Sequence, residues 1–263
     1  MHQCRVKVIK NTFSLPLEAL SQTAHHIVSI VQITGDNKPM TITLYDLCGA
    51  DENKRFSPTC WRTKLTLVHK GLDFEPVGVA FTKIPETVKG PVKTLPTIVD
   101  GNDEVTDSFD IAVYLEKKYP DAPSLFGGEN GVALAKFVRA WTNTTLNPLI
   151  AGLIVKDICD VLAEPDQKYF RETREAMFKK TLEEVQAGRD GRIEGFRAAL
   201  TPLRTMLNDQ PFIGGDRPLF ADYIVFGSLK WLASLASFEV FASDDPVKAW
   251  FERIDAMYSG VEG

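Results

Sequence analysis

One segment of the chain, Arg55-Phe56-Ser57-Pro58-Thr59-Cys60-Trp61-Arg62-Thr63-Lys64, sets a serine and a cysteine three residues apart around a proline. Proline is at home in the first position of a helix, where its missing N–H costs nothing, so Ser57 reads as the N-cap of a helix. With two cysteines such a turn would exchange disulfides. With serine in the first position the attacking sulfur is absent. What remains is a hydroxyl at the positive end of a helix, beside unpaired N–H groups that favour an anion. A thiol of pKa ~8.5 is mostly protonated at neutral pH. One hydrogen bond to its anion, worth about 1.5–3 kcal/mol, raises the thiolate fraction by one to two orders of magnitude. Taken alone, Ser57 fits a plain cap and a thiol-activating hydroxyl equally well. Cys60 reads as a buried structural cysteine.

Two further constellations narrow the choice. Leu95-Pro96-Thr97 places a proline just ahead of a strand, where a cis bond is expected. A cis bond would turn the Leu95 backbone outward to pair with an extended peptide. Asp107-Ser108 opens a helix. Both residue types cap helices. They also make a socket for an amino-acid head, with the Ser108 hydroxyl and helix N–H groups on the carboxylate and Asp107 facing the ammonium. Thr94 and Lys93 stand where a second carboxylate would lie. A thiol at Ser57, a peptide backbone along Leu95-Pro96 and an α-amino acid head at Asp107-Ser108 together describe one ligand, glutathione.

The elements that position these residues follow from hydrophobic periodicity. Thr41 to Leu47 alternates as a strand. Residues 58–70 form a helix stopped by Gly71. Residues 73–81 form a second strand, which Pro76 confines to an edge. Two short strands flank an Asp-Gly-Asn turn, and a helix follows from Asp107 to Tyr119. The order β-α-β-loop-β-β-α is a thioredoxin-like arrangement. The Pro- and Gly-rich residues 121–130 form a linker, and the remainder predicts helices near 131–150, 167–187, 190–208, 219–236 and 244–258. The domain plan is therefore a leader over 1–39, disordered or targeting, a glutathione-binding domain over 40–120 and an all-helical domain over 131–263.

Of 263 residues, 44% are apolar and the net charge is −5. That balance argues against nucleic acid and anionic membrane as partners. The apolar stretch from His26 to Ile33 is too short to span a bilayer. The four cysteines are scattered and the four histidines show no metal-site spacing, so neither a disulfide framework nor a metal is expected. A reducing, cytoplasmic setting fits, with a mitochondrial address through the leader as the alternative.

The segments "ITLYDL", "SPTCWRTKLTLVHKG", "LPTIVD", "DSFDIAVYLEKKYP", "TLEEVQAGR" and "GGDRPLFADYIVFG" resemble the cytosolic glutathione transferases. Within that family they are most similar to bacterial lignin β-etherases and the fungal etherase-related enzymes. The resemblance covers residue 41 to the end. It implies a thioredoxin-like α/β domain followed by an all-α helical bundle. It implies Ser57 as the thiol-activating residue and Leu95, Asp107 and Ser108 as glutathione contacts. It also implies an apolar second-substrate pocket between the domains, and a homodimer. Phe56 is the foremost aromatic candidate for that pocket, and Trp61, Phe81, Phe137 and Trp141 are further candidates, for which core packing is the alternative. One departure stands out: Leu219 replaces the hydroxyl residue three before the aspartate of "ADY", so only Asp222 is left to cap that helix. Three functions stay open: transfer of glutathione to hydrophobic aromatic electrophiles, aryl ethers among them; sequestration of phenolics; and thiol-disulfide chemistry through Cys60.

Overall fold

The computed structural model describes residues 41–260, so the expectations for the leader fall outside the described residues. Four strands form one sheet in the order β2-β1-β3-β4. The central strand β1 (Ile42–Leu47) runs parallel to β2 (Phe74–Val79) and antiparallel to β3 (Thr97–Asp100), which pairs in turn with β4 (Asp103–Thr106). A parallel pair needs a crossover, supplied by helix α1 (Pro58–His69). Pro76 lies on the edge strand β2, where its missing N–H breaks no ladder. Gly101, at φ 67°, turns the hairpin between β3 and β4, and Gly71, at φ 66°, ends α1. A 3₁₀ turn (Phe81–Lys83) and the short α2 (Ile84–Thr87) occupy what the sequence presents as loop. Helix α3 (Ser108–Lys118) closes this half.

The second half is helical: α4 (Glu129–Trp141), α5 (Asn147–Asp160), α6 (Glu164–Phe178), α7 (Leu182–Gln186), α8 (Asp190–Ala199), α9 (Thr201–Met206), α10 (Phe220–Leu235) and α11 (Pro246–Met257). The helix expected over 131–150 is instead two helices joined by a π-helical turn, Thr142–Leu146. Such turns interrupt the regular α pattern and often sit at functional sites.

Helix α10 is buried along most of its length and forms the seam with the sheet domain. Its Gly227 lets α1 come close: a Cβ there would lie 2.4 Å from the Pro58 carbonyl oxygen and 3.1 Å from Arg62 Cγ. Arg62 then donates to Ser228 Oγ at 3.2 Å. Asp222, fully buried, accepts the N–H of Leu219 at 3.0 Å, of Ile213 at 2.7 Å and of Gly214 at 2.9 Å, and the Trp250 indole N–H at 3.1 Å. Leucine offers no side-chain acceptor, so this is half of a capping box, anchored by the aspartate alone.

A hydrogen-bond chain crosses the same seam. The His69 Nε2 lies 3.0 Å from the Ser124 carbonyl, which only an N–H can satisfy, so Nδ1 accepts from the Tyr223 hydroxyl at 2.6 Å. Tyr258 in turn donates to Tyr223. His69 is thus a satisfied, half-buried structural residue. Burial lowers its pKa, although the Ser124 bond opposes the shift.

Candidate functional site

Ser57 caps α1 in extended conformation, φ −62° and ψ 125°, and Pro58 takes the first helical position. The Cys60 N–H reaches Ser57 Oγ at a long 3.4 Å. Ser57 Oγ lies 3.1 Å from Thr59 Oγ1, and the Thr59 hydroxyl donates to the Leu95 carbonyl at 3.4 Å. A hydroxyl has one proton. With that of Thr59 on Leu95, the Ser57 O–H points to Thr59 and is held by one neutral bond, which an arriving thiolate outcompetes. Thr59 sits inside the segment that singled out Ser57, yet its bridging part depends on Leu95, thirty-six residues away, and no local pattern shows it.

The loop leading to Ser57 is fixed from below. Arg55 Nη1 donates to the Asp46 carbonyl at 3.1 Å, and the fully buried Lys64 ammonium lies 2.8 Å from Asp46 Oδ2. Both cations belong to the serine segment, and both tie it to the end of β1. Cys60 is buried to 1% exposure. Burial pushes its thiol well up, and the Asp46 charge adds to the shift, so it supplies no thiolate.

The Leu95–Pro96 bond is cis. The Pro96 carbonyl accepts the Asp107 N–H at 3.2 Å, joining the proline turn to the start of α3. Asp107 has φ 78°, a strained setting for a residue with a side chain. Its Oδ1 accepts the N–H groups of Phe109 at 2.8 Å and Asp110 at 3.3 Å, and its Oδ2 pairs with Arg139 of α4 at 3.2 Å. In the first turn of α3 the Ser108 N–H is then left without an acceptor among the described residues, at the positive end of the helix. An N–H in that position favours an anion. Asp107 is more engaged than its sequence suggests, since Arg139 already shares the carboxylate expected to meet an ammonium. Lys93 is exposed and its ammonium turns to the Val88 carbonyl.

Ser57 opens into a cavity of about 480 Å³. Phe56, Pro58, Leu95 and Thr94 line its sheet-domain side with Phe81 and Ile84. Asn143, Asn147 and Pro148 reach it from the π-helical turn and α5, Phe170, Arg174, Met177 and Phe178 from α6, and Trp231 from α10. The walls are mainly apolar and aromatic. The other three aromatic candidates lie elsewhere. Trp61 is buried behind α1, with the Lys64 ammonium 4.4 Å from its ring centre and Lys230 at 5.1 Å. Phe137 is 70% exposed on α4, and Trp141 packs against the core at the end of that helix. Residue type identified them as aromatic, whereas the helical phase decided which way they face. Among the described residues no cluster of potential metal ligands occurs and no helix is long and apolar enough to cross a membrane.

A thioredoxin-like sheet carrying a cis-proline, beside a helical domain and with a capped serine at an apolar-walled cavity, defines a two-domain architecture. Residues 53–123 match the glutathione S-transferase N-terminal domain and residues 133–255 the glutathione S-transferase C-terminal domain. The chain belongs to the glutathione S-transferase family.

It is 34% identical over 119 residues to a zeta-class glutathione S-transferase of Euphorbia esula, a match spanning 43% of this chain and 52% of that protein. It is 26% identical to the glutathione S-transferase-like protein ustS of Aspergillus flavus, over 68% of this chain and 75% of that one. Among solved structures, glutathione transferase GSTFuA3 of Phanerochaete chrysosporium superposes with a TM-score of 0.73 at 27% identity, covering 82% of this chain and 96% of that one. A glutathione S-transferase of Ceriporiopsis subvermispora, solved in complex with glutathione, gives 0.71 at 26% identity, covering 85% and 98%.

Proposed function

We propose that this protein is a serine-type glutathione transferase acting on hydrophobic aromatic electrophiles, including aryl ethers of the kind that etherase-like members cleave. The observation that carries the reading is the position of Ser57, which caps α1 with one weakly held hydroxyl at the mouth of an aromatic-walled cavity. Glutathione lies with its cysteine backbone along Leu95, its α-amino acid head at Asp107 and Ser108, and its glycine end toward Thr94 and Lys93. The Ser57 O–H turns from Thr59 to the sulfur, and the positive end of α1 holds the thiolate. That thiolate attacks the electrophilic carbon. A carbon–sulfur bond forms as the bond to the leaving group breaks, and an aryl ether releases a phenolate. The apolar walls also suit the alternative of a protein that mainly sequesters phenolics. Leu134 and Phe137, three residues apart and exposed on α4, provide apolar surface for the homodimer that the family resemblance implies, which the mass in solution reads.

The deciding experiment is ultraviolet thiolate absorbance of bound glutathione against pH, for the wild type and Ser57→Ala. The wild type is expected to hold the thiol one to two units below ~8.5, and the variant to return it toward that value with turnover falling at least tenfold. Equal values in both would reduce Ser57 to a cap, and tight phenolic binding without turnover would then favour sequestration.

A further inference from the structure

Arg174 is the one charged residue among those lining the cavity. Several other arginines of the helical domain have carboxylate partners: Arg171, one turn earlier on α6, holds Glu175 at 2.7 Å and Glu183 at 2.8 Å, Arg189 holds Asp157 at 2.6 Å, and Arg204 holds Asp245 at 2.7 Å, while Arg192 and Arg253 donate to backbone carbonyls instead. Arg174 has no ion-pair partner among the described residues. Its guanidinium lies 4.9 Å from the Phe170 ring centre and donates to the Thr173 hydroxyl at 3.2 Å. Burial lowers its pKa, and no carboxylate opposes the shift. A half-buried guanidinium without a counter-charge bears a desolvation cost that an anion entering the cavity would offset. Its planar fork matches a carboxylate through two parallel hydrogen bonds. Around it, Phe81, Phe170, Phe178 and Trp231 offer faces for an aromatic ring.

We propose that the cavity selects aromatic ligands bearing a carboxylate, and that Arg174 is the residue that holds the carboxylate. The proposal rests on reading this cavity as the second-substrate site, and it is independent of thiol activation by Ser57. The asymmetry within α6 supports it: Arg171 faces away toward α7 and is neutralised, whereas Arg174 faces the cavity and is not.

The test is calorimetric binding of 2-naphthoate and of its neutral isostere 2-naphthamide, at pH 7 with glutathione present. Wild type, Arg174→Gln, Arg174→Lys and Ser57→Ala are compared. The wild type is expected to prefer the carboxylate by about tenfold or more. Arg174→Gln should lose that preference while binding the amide unchanged, which also shows that its cavity is folded. Arg174→Lys should keep part of it, and Ser57→Ala all of it. No preference in the wild type, a measurement that needs no variant, overturns the proposal. A preference that survives in Arg174→Gln overturns it as well. If Ser57→Ala keeps the preference yet leaves the glutathione thiol pKa unchanged, only the catalytic reading falls.

Discussion

Asp107 illustrates how much one residue of the site is asked to do. A backbone at φ 78° costs on the order of 1–3 kcal/mol, and it persists because the Pro96 carbonyl, two helix N–H groups and Arg139 hold it from four directions. Asparagine keeps the capping oxygen and tolerates positive φ, but brings no charge. Asp107→Asn is therefore expected to melt within a few degrees of the wild type and to bind glutathione about tenfold more weakly, the loss of roughly one charge-assisted bond. Calorimetry with glutathione decides, and unchanged affinity would remove Asp107 from the ammonium end of the ligand. The caps at Ser57 and Asp107 and the cis bond at Pro96 were legible in the sequence because caps and cis-prolines are local chemistry written in adjacent letters. Arg174 was not, since it sits in a charged helix beside Arg171 and only the fold decides which of the two meets a carboxylate. For Trp61, Phe137 and Trp141 likewise, aromatic character was visible and direction was not.

At the scale of elements, the position of Ser57 depends on how α1 seats on α10. A methyl group at Gly227 would need roughly 1 Å of retreat from the Pro58 carbonyl. The strain of overpacking, about 1–3 kcal/mol, exceeds the 0.5–1 kcal/mol that alanine gains over glycine in a helix. Gly227→Ala should lower stability by on the order of 1 kcal/mol or more and, by displacing the serine, cut turnover ten- to a hundredfold. Thermal melts and steady-state kinetics read both effects, and a variant with wild-type turnover would show that α1 accommodates the methyl without moving Ser57. The motif "TLEEVQAGR" also finds its physical account here. Thr181 and Glu184 form a full capping box, Glu183 takes Arg171, Gln186 bonds the Lys156 N–H, and Arg189 takes Asp157. The segment clamps α7 to α5 and α6 and so steadies the helix that carries Phe170, Arg174 and Phe178. The succession of strands and most of the helices could be read from periodicity, although α5 runs on to Asp160, beyond the helix expected over 131–150. The π-helical turn could not, because no residue type marks a π turn in the way that proline or glycine marks a helix end.

For the whole molecule, the chain of hydrogen bonds from Tyr258 through Tyr223 and His69 to Ser124 makes the seam between the halves sensitive to acid. Burial holds the His69 pKa below its unfolded value of about 6.5. The neutral ring belongs to the folded state, so its contribution is complete above that pH and is lost as pH falls through 6.5 toward the folded value. Denaturant unfolding measured from pH 7.5 to 5.5 should show stability falling more steeply in the wild type than in His69→Gln. Parallel curves would mean that other groups set the acid limit. The close approach at Gly227 carries a further consequence, for recombination. The first turn of α1 in one half is moulded to a missing side chain in the other, so the halves are not interchangeable modules. Chimeras that join this N-terminal half to a relative's C-terminal half should work only where the recipient helix also leaves that notch open, and the pair is expected to be inherited as a unit.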